Sequence, residues 1–235
     1  MPELALLGGF QLTVKGQQVV LPRSVERLLA LLALAERPLL RLHFASRLWP
    51  DGDEERAHAN LRSALWRLRR TGHQLVNTGN GRLTLNDEVD VDVTALQRQA
   101  ARLIAAGACA PKDLDPRPLF HDLLPDWYDE WVLIEQERLR QMRLHALEAL
   151  SVRLLAAGRF ADAVEAALAA VRIEPLRESG HRALIEVHLA EGNRGEAYRQ
   201  YERMRRLLRE EIGADPTFAM ADLAPGGGDG ATTAS

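Results

Sequence analysis

Residues 56–70, RAHANLRSALWRLRR, concentrate side chains that can bind anions and nucleobases. An arginine donates paired hydrogen bonds to guanine in the DNA major groove, and it also binds backbone phosphates. The stretch contains no acid, and its cationic or potentially cationic residues are Arg56, His58, Arg62, Arg67, Arg69 and Arg70. Taken alone, the stretch predicts either a DNA-reading helix or a charged helix that only faces water.

The spacing of the same residues predicts an amphipathic helix. At about 100° per residue, one face collects the apolar residues Ala57, Leu61, Ala64, Leu65 and Leu68. The opposite face collects Arg56, Asn60, Ser63, Arg67 and Arg70, with Trp66 beside them. We therefore expect the apolar face to pack on a core while guanidinium and amide groups point outward.

The flanking sequence predicts a winged helix, in which the third helix of a helix-turn-helix variant enters the major groove. Periodicity and turn residues predict these elements in chain order: β-structure over residues 4–14, a returning strand over 19–21, a helix from an N-cap at Ser24 to Pro38, a strand or turn over 39–42, a helix over 43–48, the basic helix, and a hairpin of 74–77 with 82–86. Together they form a predicted domain over residues 1–92.

The segment Thr78-Gly-Asn-Gly81 is the predicted loop of that hairpin, the wing. Asn-Gly between apolar runs is a strong signal for a tight two-residue turn. Arg82 follows the loop, where a phosphate contact is expected, and Asn80 stands at its tip. For Asn80 and Gly81, turn chemistry is the favoured interpretation over a specific DNA contact.

Residues 93–222 predict an all-α domain of tetratricopeptide-like repeats, so the chain as a whole is expected to be mainly α with a small β part. The pattern Ala-x-Gly-x₄-Ala begins at residue 156 and again 34 residues later at residue 190, which is the period of tetratricopeptide repeats. Gly158 and Gly192 are then predicted helix C-caps. The glycine-rich residues 223–235 predict a disordered tail.

Two further helices are expected in this second domain, over Thr94–Ala108 and Ile134–Ala157. Between them, Trp127, Tyr128 and Trp131 form an aromatic cluster that predicts a helix-packing anchor rather than a ligand cage.

Several runs resemble the SARP family of antibiotic-regulatory transcription activators. LLGGFQLTVKGQQVVLP, RSVERLLALLALA and LWPDGDEERAHANLRSALWRLRR are similar to the family's OmpR-type winged helix, and LLPDWYDEWVLIEQERLRQMRLHALEAL is similar to its bacterial transcriptional activator domain. The resemblance implies that the recognition-helix positions are Asn60, Leu61, Leu65, Arg67, Leu68 and Arg69. It also implies binding to direct repeats near promoters and recruitment of RNA polymerase.

Two features within this resemblance leave alternatives open. Trp66 stands where the family resemblance implies a small polar residue, and it could cover a thymine methyl, cover a sugar or pack on a partner. The acidic residues Asp51, Asp53, Glu54 and Glu55 precede the basic helix. They either complement the positive N-terminal end of that helix or, as in OmpR-type proteins, contact polymerase.

Bulk properties limit the function classes. The net charge is −3, so a chain-wide basic field is excluded, yet residues 56–82 hold six arginines and no acid. The single cysteine, Cys109, excludes an internal disulfide and fits a reducing cytoplasm. Phosphate-loop, zinc-protease and paired-cysteine motifs are lacking in the sequence. We predict no catalytic residues, no cofactor, no metal site, no membrane segment and no enzyme activity.

The sequence thus predicts a DNA-binding transcription regulator. The family resemblance implies an activator that binds promoter direct repeats and recruits RNA polymerase, and a homodimer on DNA is expected. We expect it in the bacterial cytoplasm, associated with the nucleoid when bound. The predicted DNA contacts are Arg56, Asn60, Arg62, Ser63, Trp66, Arg67, Arg69, Arg70, Asn80 and Arg82. The alternatives are a helical-repeat adaptor whose winged helix does not read DNA, or a repressor of the same fold.

Overall fold

The structure is a computed structural model that describes residues 1–35, 37–105, 107 and 109–223. The chain is mainly helical with a small β part, as the sequence predicts. It divides into two compact units that interleave along the chain: unit 1 contains Met1–Gln97 and His121–Leu139, and unit 2 contains Arg98–Phe120 and the described part of Arg140–Ser235. The predicted domain boundaries, 1–92 and 93–222, remain a prediction. Residues 224–235 of the predicted tail lie outside the described residues.

Unit 1 contains a winged helix-turn-helix. Its elements in chain order are β1 (Pro2–Ala5), β2 (Gln11–Val14), β3 (Gln17–Gln18), α1 (Arg23–Leu34), β4 (Leu39–Leu40), α2 (Arg41–Leu48), α3 (Glu54–Arg69), β5 (Val76–Gly79), β6 (Arg82–Leu85), β7 (Asp90–Val91) and the start of α4 (Asp92–Ile104). One sheet has the order β3-β2-β1-β7, with β7 parallel to β1, and a second has the order β4-β6-β5.

The structure corrects the first strands. Residues 4–14 are not continuous β-structure, because Gly8 and Gly9 turn the chain between β1 and β2 with φ of 77° and 145°, which glycine adopts without steric cost. The predicted returning strand over 19–21 is wrong. Lys15 and Gly16 form a two-residue turn that places Gln17 opposite Val14, so β3 ends at residue 18.

The helix boundaries also differ from the predicted ones. Ser24 is not the N-cap of α1: Pro22 holds that position, and its carbonyl accepts from the amide of Val25 at 2.8 Å. α1 ends at Leu34 rather than at Pro38, and α2 begins at Arg41 rather than at residue 43. α1 ends early because Ala35 has an extended backbone, with φ of −78° and ψ of 120°. The start of α2 differs by two residues, a shift that leaves its apolar period unchanged.

The core of unit 1 lies where the three helices meet. Its fully buried side chains include Leu28 and Leu29 of α1, Phe44 and Leu48 of α2, and Leu61 of α3. Removing such apolar side chains from water is the main stabilising contribution to a small domain.

Asp92 links the N-terminal strand to α4. Its carboxylate accepts from the backbone amides of Leu6, Leu7 and Val93 at 2.7–3.0 Å. Burial raises the pKa of the Asp92 carboxyl, although these amides favour its charged form and oppose the rise.

Unit 2 consists of helices joined by short turns. They are the later part of α4, two 3₁₀ turns (Pro111–Leu114 and Arg117–Phe120), α5 (Glu130–Ala156, whose first ten residues belong to unit 1), α6 (Phe160–Ile173), α7 (Glu178–Ala190), α8 (Arg194–Ile212) and α9 (Met220–Leu223). α4 and α5 were predicted over 94–108 and 134–157, so α4 begins and ends earlier and α5 begins four residues earlier.

The 34-residue repeat of the sequence corresponds to two helix pairs, α5 with α6 and α7 with α8. Gly158 and Gly192 end the first helix of each pair in the left-handed conformation, with φ of 71° and 86°. The next residue donates its amide five residues back in both cases, Arg159 to Leu154 at 2.9 Å and Asn193 to His188 at 2.8 Å. The two predicted C-caps are therefore confirmed.

Small residues let the helices of unit 2 approach closely. The buried face of α6 consists of Ala163, Ala166, Ala167, Ala169 and Ala170. A methyl group on Gly180 of α7 would lie 3.5 Å from the Ala170 side chain, so the two helices are already in contact there. Across the described part of the chain, no helix combines the length and the apolar character that crossing a bilayer requires.

Candidate nucleic-acid interface

The N-terminus of α3 is capped by its own acidic segment. Asp53 is the N-cap, and its Oδ1 accepts from the backbone amide of Arg56 at 2.7 Å. Glu54 and Glu55 lie in the first turn, where negative charge complements the positive end of the helix dipole. The capping interpretation of these acids is confirmed. Asp51, Asp53, Glu54 and Glu55 are all exposed, and a polymerase contact through them remains a prediction.

The predicted core face of α3 is confirmed. Its five buried residues are the five predicted ones: Ala57, Leu61, Ala64, Leu65 and Leu68. Each is at most 6% exposed. Because the positions facing the core are fixed, the opposite face of the helix must point away from it.

The opposite face carries the predicted DNA-contacting residues. The exposed ones are Arg56, Arg62, Ser63, Trp66, Arg67, Arg69 and Arg70, and Asn60 is half-buried. In the part of the chain that the structure describes, the side chains of the five arginines make no ion pair and no hydrogen bond. Their guanidinium groups therefore keep all their donors for a ligand outside the fold.

The wing is a β-hairpin, as predicted, but its first strand and loop differ from the predicted 74–77 and 78–81. β5 spans Val76–Gly79, because Thr78 and Gly79 pair with Leu83 and Arg82. β5 pairs antiparallel with β6, and the two loop residues Asn80 and Gly81 have φ of 49° and 70°. Two positive φ values in a two-residue loop identify a type I′ turn. Turn geometry thus accounts for the Asn-Gly pair, and a DNA contact by the exposed Asn80 remains a prediction.

Arg82 has a partner within the fold that the sequence analysis missed. Its Nη1 donates to the carbonyl of Pro38 at 2.9 Å and ties the loop end of the wing to the residue before β4. The side chain is otherwise exposed, so its remaining donors face outward. No local pattern links Pro38 to Arg82, since 44 residues separate them.

A cleft of about 480 Å³ lies between the C-terminal end of α3 and β5, within unit 1. Its polar lining comes from Arg69, His73, Gln74, Asn77 and Thr78. Only Arg69 of this set was predicted as a contact. The others come from the loop and the strand that directly follow α3 in the sequence, and they were not predicted as contacts.

A second cavity, of about 700 Å³, lies beside the turn between α2 and α3, also within unit 1. Its charged lining comprises three arginines, Arg27, Arg47 and Arg56, and three acids, Asp51, Asp129 and Glu130. Arg27 is paired with Asp129. Since the charges balance, this cavity does not favour an anion or a cation.

The aromatic cluster is a packing anchor within unit 1. Trp127 and Trp131 are each 4% exposed and meet edge to face at 6.4 Å. Phe10 stacks on Trp127 at 5.9 Å, and the guanidinium of Arg23 lies 3.5 Å from the Trp127 ring centroid. Tyr128 does not belong to the cluster, since it is 80% exposed.

Metal-binding geometry is absent from the described residues: no three His, Cys, Asp or Glu side chains come together there. Cys109 is half-buried, and its Sγ lies 3.3 Å from the carbonyl of Arg102.

Three comparisons with known proteins agree with this architecture. Residues 117–225 match the family model of the bacterial transcriptional activator domain. The regulatory protein AfsR of Streptomyces griseus is 28% identical over 212 residues, and AfsR of Streptomyces coelicolor is 27% identical over 222 residues. Each alignment covers 86% of this chain, which spans only about a fifth of the length of these relatives.

A solved structure of Mycobacterium tuberculosis EmbR, in complex with a low affinity phosphopeptide, has the same fold. The TM-score is 0.74 at 22% sequence identity, and the match covers 92% of this chain and 62% of EmbR. The predicted family resemblance is therefore confirmed: the C-terminal part of the chain matches the bacterial transcriptional activator domain, and most of the chain is similar to the AfsR regulatory proteins in sequence and to EmbR in fold.

Proposed function

We propose that this chain binds duplex DNA through α3 and the wing and thereby regulates transcription. The observation that carries the proposal is the exposed face of α3, where five arginines have no ionic or hydrogen-bonded partner in the described chain. Exposed guanidinium groups without a partner in the fold are free to bind an anion outside it. Duplex DNA supplies such an anion as a regular array of phosphates.

Different arginines would have different tasks in the complex. Arg67 lies outside the buried stripe in the second half of α3, which suits a paired hydrogen bond to guanine O6 and N7. Arg56 at the start of α3 and Arg69 beside the cleft suit phosphate contacts, which position the helix without reading sequence. The wing would add backbone contacts from the outward donors of Arg82.

We further propose that the chain is an activator rather than an enzyme. The match to a bacterial transcriptional activator domain supports this assignment, and so does the regulatory role in the name of the AfsR relatives. The exposed acids Asp51, Glu54 and Glu55 would face RNA polymerase, and two chains would occupy a direct repeat. A repressor of the same fold would differ in where its site lies in the promoter, so a reporter assay distinguishes activation from repression.

The first experiment measures binding to random-sequence duplex DNA as a function of salt. A protein that neutralises several phosphates loses affinity steeply, because binding releases condensed counterions. We expect a straight line of log affinity against log salt, with a slope of about −0.9 for each phosphate contact. A helical-repeat adaptor whose winged helix does not read DNA would show no such slope.

A matched pair of variants makes the assignment specific to α3. The triple variant R62A/R67A/R70A removes three exposed charges from the α3 surface. The control R194A/R203A/R206A removes three exposed charges from α8, in unit 2. We expect the first to flatten the salt slope and the second to leave it unchanged. An equal reduction of the salt slope in the two variants would show that only the net charge matters. That result would overturn the proposed interface.

A further inference from the structure

The outermost stripe of α3 is apolar for most of its length. At about 100° per residue, Ala59, Ser63, Trp66 and Arg70 lie on the side opposite the buried stripe. The hydroxyl of Ser63 donates to the carbonyl of Ala59 at 3.0 Å, so its polar hydrogen turns back to the helix. The oxygen of Ser63 can still accept a hydrogen bond, so the apolar surface of this stripe consists of the half-buried methyl of Ala59 and the indole of Trp66, which is 57% exposed.

The indole of Trp66 is held by a neighbouring charge. The guanidinium of Arg70, one turn further on, lies 4.9 Å from the ring centroid, a distance typical of a cation–π contact. Side chains on a helix lean toward its N-terminus, so the ring extends over the turn that contains Arg62 and Ser63. The indole ring of Trp66 thus lies within a basic surface, with arginines on both sides.

We propose that Trp66 contacts the 5-methyl group of a thymine in the major groove, so that the chain prefers thymine at one position of its site. This inference rests on the proposed function. It names the chemical group on DNA that Trp66, on the same exposed face of α3, would contact. Phosphates and most base edges in the major groove are polar or charged, and the thymine methyl is the apolar group available there. The flanking arginines favour DNA as the occupant, because a protein partner would have to neutralise them.

The test uses bases that differ by that one methyl group. Binding sites are first isolated by selection from random duplexes, and each thymine of the selected site is then replaced in turn by deoxyuridine. Burying one methyl group corresponds to roughly a fourfold change in affinity. We expect such a loss at one position per half-site with the unmodified chain, and smaller changes elsewhere.

Variants show whether Trp66 reads the methyl group. In W66A, thymine and deoxyuridine should bind equally well at the sensitive position. Y128A is the matched control, since Tyr128 is an exposed aromatic residue of unit 1 outside α3, and it should keep the fourfold difference. W66S provides a second test should W66A fail to fold, and circular dichroism establishes the folding of each variant.

Three results would overturn the inference. The first is a wild-type chain that binds its site with no thymine sensitive to loss of the methyl group, which would place Trp66 on a sugar or on a protein partner. The second is a sensitivity to deoxyuridine that persists in W66A, which would mean that another residue contacts the thymine methyl group. The third, absence of any DNA binding by the wild-type chain, would defeat the proposed function itself and is distinguishable from the other two.

Discussion

Two arginine-rich helices, α3 in unit 1 and α8 in unit 2, differ in how their charges are neutralised. α8 holds six arginines and four glutamates in 19 residues. Three of the six are paired within the fold: Arg199 with Glu196, Arg205 with Glu202 at 3.0 Å, and Arg209 with Asp215 at 2.7 Å. The other three, Arg194, Arg203 and Arg206, are exposed. In α3 the acids are confined to the first turn, where they stabilise the helix end.

The comparison shows that arginine content alone does not make a nucleic-acid surface. Acids three residues before an arginine place opposite charges on the same helical face, and they neutralise it locally. Where acids are segregated to the N-terminal turn, the rest of the helix keeps its positive charge.

Leu65→Asp should unfold unit 1, because it would bury a charge at a position that is 6% exposed. The expected loss is about 3 kcal/mol or more in the free energy of unfolding. Thermal unfolding followed by tryptophan fluorescence measures it, because all four tryptophans lie in unit 1. Ser63→Asp adds the same charge at an exposed position and should leave the midpoint nearly unchanged. An unchanged midpoint for Leu65→Asp would mean that the core face is assigned incorrectly.

Arg67→Ala should weaken binding to a selected site by about 1–3 kcal/mol, since it removes a paired hydrogen bond to a base. Arg206→Ala removes an exposed arginine from α8 and should have no effect on the same binding curve. Fluorescence anisotropy at fixed salt measures both. An unaltered affinity for Arg67→Ala would remove that residue from base reading while leaving the phosphate contacts in place.

Ser63→Glu should give α3 the pairing pattern of α8. The new carboxylate would lie four residues before Arg67, the orientation in which a glutamate–arginine pair is most favourable. We expect the salt slope of DNA binding to fall by about 1, as for the loss of one phosphate contact. Ser63→Gln has a similar size without the charge, so a reduced slope in both variants would point to shape instead.

Acidification should destabilise unit 2 through the buried side chain of His181. Among the described residues, no side chain of α3 makes comparable hydrogen bonds. His181 is 1% exposed, its Nε2 lies 2.8 Å from the Pro175 carbonyl, and its Nδ1 lies 2.7 Å from Nε2 of Gln200 on α8. Burial lowers the pKa of His181 below its ordinary value of 6.5. The neutral imidazole is therefore favoured in the folded unit, and the unfolded chain takes up the proton first as pH falls.

The stability that His181 contributes is thus present above about pH 6.5 and is lost as pH falls toward its folded pKa. The slope cannot exceed about 1.4 kcal/mol per pH unit for one proton. Urea unfolding of the helices by circular dichroism at pH 7.5 and 5.5 measures the loss, and tryptophan fluorescence reports unit 1 separately. His181→Gln should remove this pH dependence, and a dependence that survives would assign it to other groups.

Local pattern was sufficient for the parts of unit 1 that carry the candidate interface. The buried stripe of α3 repeats with the period of a helix, and the Asn-Gly turn specifies the hairpin, so both followed from neighbouring residues. Position 20 shows where local propensity failed. Val20 suggests a strand, yet it is 88% exposed. The tight turn at Lys15 and Gly16 pairs the residues that precede Val20, so the strand ends before it.

Long-range pairings were beyond the reach of sequence patterns. The amide of Gly8 donates to the carbonyl of Asp122 at 2.7 Å, and Leu7 pairs with Leu123, although more than a hundred residues separate them. The contact of Arg82 with the Pro38 carbonyl, across 44 residues, is of the same kind. Such contacts depend on the whole topology, and no spacing rule along the chain reveals them.

The return of residues 121–139 to unit 1 also affects how the protein is made. Trp127 and Trp131 complete the packing around Phe10 and Arg23, but the ribosome delivers them only after all of α4 and both 3₁₀ turns. The winged helix of a nascent chain therefore has an open flank until that later segment emerges. The order of synthesis thus delays completion of unit 1, even though its winged helix is translated first.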